Sequence, residues 1–405
     1  MRVLILTQHY PPEPFQRPAD LAQWLIERGH RVVVITGFPY YPSGTLYPGT
    51  KMRPWRCEVE NGVTVIRLPV YPDHSRSVVR RVLNYGSFSF STAILGPLLS
   101  GPIDAIYVEH PSTMFGLAAW WLSRLRRAPF VYSVDDIWPD SVEASGMLRH
   151  RTLLQTIERL EQFVYRRAGA ITVISPGNRQ RLIAKGVPWD KVHFVPHYAN
   201  EAIYRPVARD PLLAKHLDIV ARFTVMFAGH IGMAQALDVV LSAASQLTDL
   251  PEVLFLIVGD GPDAERLQAA ARARGLHNVR FLGRRPTREM PYLYALADVL
   301  MVHLRDHPVF RITIPSKTMA YMACGRPLLM AVEGDAADLV RTTGAGVTCR
   351  PENAKDLAEA VRRLHARSWE AREEMGQAGR TAFLRSYSRG VLLDRYEAIL
   401  AGIAR

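Results

Sequence analysis

The sequence predicts an α/β protein in which two parallel-sheet domains follow one another along the chain. Three observations carry this. The chain has 405 residues and is 48% hydrophobic, enough to bury two ordinary domain cores. It opens strand–helix–strand, with Arg2 to Thr7, Leu21 to Arg28 and Arg31 to Thr36. The pattern restarts after a linker at Asn200 to Pro206: Phe223 to Ala228 is an apolar strand, followed by a glycine turn and a helix from Ala236. The expected division is residues 1–203, residues 204–388 and a last helix within 389–405 that crosses back to the first domain.

Composition narrows the function classes. The 28 Pro and 27 Gly are spread along the chain, so no disordered tail is expected. Cys57, Cys324 and Cys349 show neither metal nor disulfide spacing, which fits a reducing cytosol. MRVLILT enters a strand directly, without the regions of a signal peptide, so export is not expected. The net charge of +12 is heavier in the first half and suits nucleic acid, anionic lipid or phosphorylated ligands. No nucleic-acid motif is present, which leaves a membrane surface and diphosphates.

In the first half, the loop QHYPPEPFQRP occupies the place of a dinucleotide-binding glycine turn and contains no glycine, so a dinucleotide cofactor is disfavoured. It offers Glu13, Gln16 and Arg17, with Arg17 able to reach an anionic group; a solvated loop is the alternative. GFPYYPSGTLYPG, residues 37–49, is either a binding wall or a rigid turn. Val63 to Leu68 is a strand, and Asp104 to Glu109 another, delivering Glu109, His110 and Pro111 to the sheet edge. His110 is read as acceptor-side or structural. Phe130 to Val134 ends in Asp135 and Asp136, which point to opposite faces: one suits an acceptor hydroxyl, the other a helix cap. A helix over Leu153 to Arg166 and strands at Ala170 to Ser175 and Val192 to Pro196 complete this half.

In the second half, Gly229-His230-Ile231-Gly232 follows the first strand, a geometry in which backbone approaches phosphate. Leu254 to Val258 leads to Gly259-Asp260-Gly261, and Phe281 leads to Gly283 and Arg284. The centre of the chain's organisation is FRITIPSKTMAYMACGRPLLMAVEGDAADLV, residues 310–340. Pro315 and Ser316 start a helix, with Ser316 able to cap its amides and Lys317 beside them. Gly325-Arg326-Pro327 ends that helix, and the strand Leu328 to Val332 delivers Glu333-Gly334-Asp335 to the ligand-binding edge. The result is a phosphate grip with carboxylates for sugar or ribose hydroxyls; the alternative is two helix starts and a surface lysine. Helices at 354–365, 370–384 and Val391 to Ile403 close the chain.

The PSK, helix, A-C-G, P and strand run resembles the donor segment of family 4 glycosyltransferases, and FRITIPSK with AVEGDAADLV resembles their bacterial fucosamine and fucose transferase branch. Similarity extends through TGFPYYPSG and DIWPDS to the last helix. The resemblance implies the GT-B architecture, two Rossmann-like domains facing across a cleft. It further implies retaining transfer of a hexosyl group from a nucleoside-diphosphate sugar, UDP favoured over GDP, to an undecaprenyl-diphosphate-linked sugar. No cofactor and no metal are implied. Donor-side residues are then Gly229, His230, Gly232, Gln235, Gly259, Asp260, Gly261, Gly283, Arg284, Arg311, Pro315, Ser316, Lys317, Thr318, Glu333, Gly334 and Asp335. Catalytic candidates are Asp135, Asp136, His110, Lys317 and Glu333, and acceptor-side ones Glu13, Arg17, Glu109 and His110. The sequence departs from the family at five places. Asp135 stands where His or Arg usually precedes the matching Asp136, so no catalytic His carries over to that position. His230 and Gln235 stand where Arg and Lys are usual, so the diphosphate grip falls to Lys317 and the amides of Gly229 to Gly232. Ile312 and Ala320 replace the two acids, which makes Glu333 and Asp335 the candidate pair for hydroxyls. A sugar-nucleotide 2-epimerase of the same fold and a non-catalytic nucleotide-binding subunit are the alternatives.

Residues 75–99 begin with Arg76, Arg80 and Arg81 and are then uncharged, with Val79, Leu83, Phe90 and Ile94 near one helical face. Asn84 and a Gly-Pro pair interrupt a span of about 20 apolar residues. The segment is read as an interfacial helix holding the protein on the cytoplasmic face of the inner membrane, or else as a helix buried on the sheet.

Overall fold

The computed structural model describes residues 1–75, 77–110, 112–144, 150–220 and 222–404; of His110, Val142 and Ala144 it describes the backbone. Arg76, Pro111 and the His110 side chain therefore lie outside the described residues. The chain divides into two compact units, Met1–Ile174 with Asn178–Val195 and Leu393–Arg405, and Ser175–Gly177 with Pro196–Leu392.

The first unit is built on strands β1 (Arg2–Leu6), β2 (Arg31–Gly37), β3 (Arg56–Glu60), β4 (Val63–Leu68), β5 (Ala105–His110), β6 (Phe130–Val134), β7 (Ala170–Val173) and β8 (Val192–Phe194). Their order is β3-β4-β2-β1-β5-β6-β7-β8, parallel throughout except for the β3–β4 pair. Val3 to Leu6 and the whole of β6 are buried, as strands covered by helices on both faces require. The order reverses beside β1, so the carboxyl ends of β1 and β5 flank a crevice. Strand β3 is not among the sequence expectations because it has no apolar run. Its signal is the turn that follows, Asn61 at φ 50° and Gly62 at φ 83°, a two-residue hairpin connection. The first helix likewise starts earlier than expected, at Arg17, with Pro18 in its first turn.

The segment read two ways forms one helix, Val78–Leu99, capped where the Ser77 side chain accepts from the Arg80 amide. Its buried side is Asn84, Phe88, Thr92 and Gly96, at a spacing of four. At Gly96 a Cβ would meet Ile35 and Leu122 at ordinary contact distances, 3.5 and 3.6 Å, so the packing there does not require glycine. Val79, Leu83, Phe90, Ile94 and Leu98 are exposed, with Phe90 at 68% and Leu98 at 74%. The helix packs on the unit, as the buried reading expects, and also presents apolar groups outward. The last helix, Arg389–Ile403, contributes its later turns to this unit, where the Tyr396 ring meets Tyr107 edge-on at 5.4 Å.

The second unit contains β9 (Phe223–Ala228), β10 (Val253–Val258), β11 (Val279–Gly283), β12 (Val299–His303), β13 (Leu328–Ala331) and β14 (Gly346–Thr348). The order is β11-β10-β9-β12-β13-β14, all parallel, with the reversal beside β9. Strands β9, β10, β12 and β13 are wholly buried. The helix expected from Ala236 begins at Asp238, because Met233–Gln235 form a tight turn and Ala236 is left-handed at φ 45°. The helix Lys317–Ala323 ends at Gly325, φ 67°, as the sequence predicts.

Gly376, in the helix Trp369–Ser386, lies so close to that end that a Cβ would stand 2.1 Å from the Gly325 carbonyl oxygen. Both elements would have to move apart to admit it. Gly376→Ala should therefore destabilise the protein by about 1–3 kcal/mol. Urea denaturation checks this: the midpoint should fall with the slope unchanged, and an unaltered midpoint would mean that the helices separate freely.

Candidate active site

In the second unit the carboxyl ends of β9, β10 and β11 are laced together by backbone. Gly229 N–H donates to Val258 at 2.9 Å, Ile231 N–H to Asp260 at 2.9 Å and Gly259 N–H to Gly283 at 2.9 Å. The approach requires glycine: a Cβ on Gly259 would lie 1.9 Å from the Gly229 oxygen, and one on Gly261 2.2 Å from that of Ile231. This corrects an expectation. The turn Gly229 to Gly232 does not present a row of free amides, because Gly229 and Ile231 bond to β10's turn and Gly232 N–H donates to Gln235 Oε1 at 3.1 Å. His230 alone of the four has an amide without a partner among the described residues. Gln235 is likewise engaged, its carbonyl accepting from the buried His303 Nδ1 at 2.7 Å.

Lys317 stands directly over this turn. A Cβ on Gly229 would lie 2.7 Å from its Nζ, which also sits 3.8 Å from the centroid of the Phe227 ring. No ion pair of Lys317 exists among the described residues, and burial pushes its ammonium down to about 7. One helical turn on, Tyr321 fixes this placement: its hydroxyl donates to the Ala228 carbonyl at 3.0 Å and accepts the Ala228 amide at 2.9 Å. Phe227 and Tyr321 are absent from the sequence reading, although Tyr321 stands four residues beyond Lys317. Ser316 departs from expectation: its side chain caps nothing, and the amides of Thr318 and Met319 turn back to the carbonyls of Pro315 and Ser316. The Thr318 hydroxyl is buried with no partner.

The expected carboxylate pair is divided. Glu333, at the end of β13, is 38% exposed and lies 3.4 Å from Arg311, which is also bonded to Asp306 at 2.8 Å. Gly334, at φ 75°, admits the Arg311 carbonyl, which a Cβ would meet at 1.9 Å. Asp335 is committed instead: its carboxylate accepts the Gly177 amide at 2.6 Å, from the short stretch that belongs to this unit. Asp260 and Arg284 are exposed, and Gly283, at φ 67°, has open space where a Cβ would be.

In the first unit the edge beside β1 carries a charge cluster. The Arg17 guanidinium donates to Glu109 at 2.9 and 3.1 Å and to both oxygens of Asp135. The anionic groups that Arg17 reaches among the described residues are thus the protein's own, Glu109 and Asp135. Thr7 bridges the cluster, its hydroxyl lying 2.7 Å from Glu109 and 3.0 Å from the His9 carbonyl. Glu13 is buried and accepts the amides of Tyr40 and Tyr41 at 3.0 and 2.8 Å and lies 3.2 Å from His9 Nδ1. It fastens loop 37–49 to the edge; its carboxylate is already filled. Asp136 is exposed just beyond β6, and the backbone of His110 ends β5.

Residues 16–197 match the model of a glycosyl transferase 4-like domain, and residues 211–382 that of glycosyl transferases group 1. A protein of Escherichia coli (strain K12) named as a colanic acid biosynthesis glycosyl transferase, WcaI, is 28% identical, over 89% of this chain and 91% of its own. A protein of Pseudomonas aeruginosa named as a glycosyltransferase, WbjE, is 25% identical, over 74% and 73%. The crystal structure of Anabaena HepE in complex with UDP and glucose superposes with a TM-score of 0.72 at 17% identity, covering 99% of each chain; that likeness is one of fold.

Unfolded, the Lys317 amine titrates near 10.5, and folded near 7. Between those values the unfolded chain holds the extra proton, so the amine's contribution to stability rises with pH across the interval. Lys317→Met should flatten that rise and raise the melting temperature of the ligand-free protein at pH 7. Thermal melts from about pH 7 to about pH 10 check it; identical slopes for parent and variant would mean that the amine is ordinarily solvated.

Proposed function

The chain is a family 4 (group 1) glycosyltransferase of GT-B fold, and from that premise we propose that it moves a hexosyl group, with retention, from a UDP-sugar to a lipid-linked sugar in surface-polysaccharide assembly. The observation that carries the donor half is Lys317, an amine without a counter-charge among the described residues and set over the turn that ends β9. A diphosphate there supplies the missing anion. As the bond to the sugar breaks, negative charge grows on the leaving diphosphate, and a fixed cation favours that state over the ground state. Uridine is favoured because HepE, of the same fold, holds UDP. Glu333 and Arg311 are proposed to meet sugar hydroxyls, and the edge at Gly283 and Arg284 to meet the base.

The acceptor half is supported by the names of WcaI and WbjE, which concern colanic acid and glycosyl transfer. Asp136 and His110 are proposed to face the acceptor at the first unit's edge. Asp135, held by Arg17, is proposed to set the local field there. Among the described residues no helix is long and apolar enough to cross a membrane. A peripheral position on the cytoplasmic face is supported by the Val78–Leu99 helix, whose exposed Val79, Leu83, Phe90, Ile94 and Leu98 suit the acyl boundary and whose Arg80 suits anionic headgroups.

Two experiments test this. Given UDP-hexoses and a polyprenyl-diphosphate sugar, the enzyme should form a new glycoside only when both are present. Lys317→Met should lower turnover about ten- to a hundredfold, the loss of one charge-assisted contact. Product that ignores the acceptor, or a variant with unchanged kinetics, would sink the assignment. In liposome flotation, binding should need anionic lipid and weaken with salt, and Phe90→Asp with Leu98→Asp should abolish it. Equal flotation of parent and variant would remove the helix from the membrane.

A further inference from the structure

Between the Val78–Leu99 helix and the Arg17 cluster, the first unit carries a continuous row of rings. His9 stacks on Phe15, with centroids 4.6 Å apart and planes 13° from parallel. Tyr41 meets Phe15 at 5.0 Å and His9 at 5.3 Å, and His74 meets Tyr41 edge-on at 4.6 Å. One end of the row is tied to the charged edge, since Thr7 bridges the His9 carbonyl and Glu109. The other end, His74, stands four residues before the first turn of the helix. The row is not core. Tyr40, which meets the His9 ring at 5.4 Å, is buried, whereas Phe15 and Tyr41 remain partly exposed and His74 is exposed.

We infer that His9, Phe15, Tyr41 and His74 form a platform for the pyranose ring of the acceptor. Aromatic rings carry negative faces, which attract the weakly positive C–H groups of a sugar. The chemistry fits a neutral sugar better than its diphosphate. Burial, with help from Arg81 and His9, keeps the His74 imidazole below its ordinary value, and the Glu13 carboxylate behind His9 is filled by backbone amides. The position fits too: a sugar whose lipid stays in the bilayer must cross from the apolar helix to the carboxyl edge, and the platform lies along that way.

The platform rests on the lipid-linked acceptor reading, and the test separates the two. Calorimetric binding to the full chain would use farnesyl diphosphate bearing N-acetylglucosamine, glucose or galactose, with bare farnesyl diphosphate and UDP as controls. Phe15→Leu, which keeps bulk but loses the ring, and His74→Ala, which changes an exposed side chain, should each weaken the best sugar-bearing probe roughly five- to tenfold. Bare farnesyl diphosphate and UDP should bind as before. If the sugar-bearing probes bind the variants and the parent alike, or if bare farnesyl diphosphate weakens equally, the platform is overturned. If the parent binds none of the sugar-bearing probes, the lipid-linked acceptor falls, and the platform with it.

Discussion

The second unit depends on how the end of β9 is held. A single hydroxyl, that of Tyr321, occupies both polar groups of Ala228, and this pins the Lys317–Ala323 helix against the strand. The lysine one turn earlier then has nowhere to go but over Gly229 and the Phe227 ring. Burying an ammonium without an anion is costly. The fold tolerates it because the ring face offers partial compensation and because the amine can shed its proton near neutrality. The proposed diphosphate would supply the counter-charge that this amine lacks among the described residues.

The first unit answers the same problem differently. There the cation is given two carboxylates, Glu109 from β5 and Asp135 from just beyond β6. Glu13 shows the same economy, filling its oxygens with loop amides so that the aromatic loop is fixed. The Val78–Leu99 helix carries apolar groups on both sides: Phe88 is buried beside Asn84, which is joined to Gln8 and to the Tyr71 carbonyl, while Leu83, Phe90 and Leu98 face outward.

The α/β class and most strands were legible because buried parallel strands write themselves as apolar runs. Strand β3 was not, since a half-exposed edge strand carries charges and only its Asn61-Gly62 turn announces it. The placement of Lys317 at a helix start was legible from Pro315 and Ser316 beside it. Its lack of a counter-charge was not, because that depends on which carboxylates three-dimensional packing leaves elsewhere. The turn Gly229 to Gly232 was overread for a similar reason: glycines mark close backbone approach, but here the approaching backbone is the protein's own, at Val258 and Asp260. Arg17 and Asp135 are separated by over a hundred residues, and no spacing rule connects them.

The lacing of β9 to β10 has an evolutionary side. Because Gly259 and Gly261 touch the Gly229 and Ile231 carbonyls, neither turn can accept a side chain or an insertion unless the other changes at the same time. Variation by single steps is shut out of the centre of this edge. Gly283 has open space around it, but its left-handed backbone at φ 67° still disfavours a side chain, whereas the exposed Arg284 carries neither restriction. Single-step change along this edge is therefore expected first at Arg284, just beyond β11, while the glycine turns stay as an inherited block.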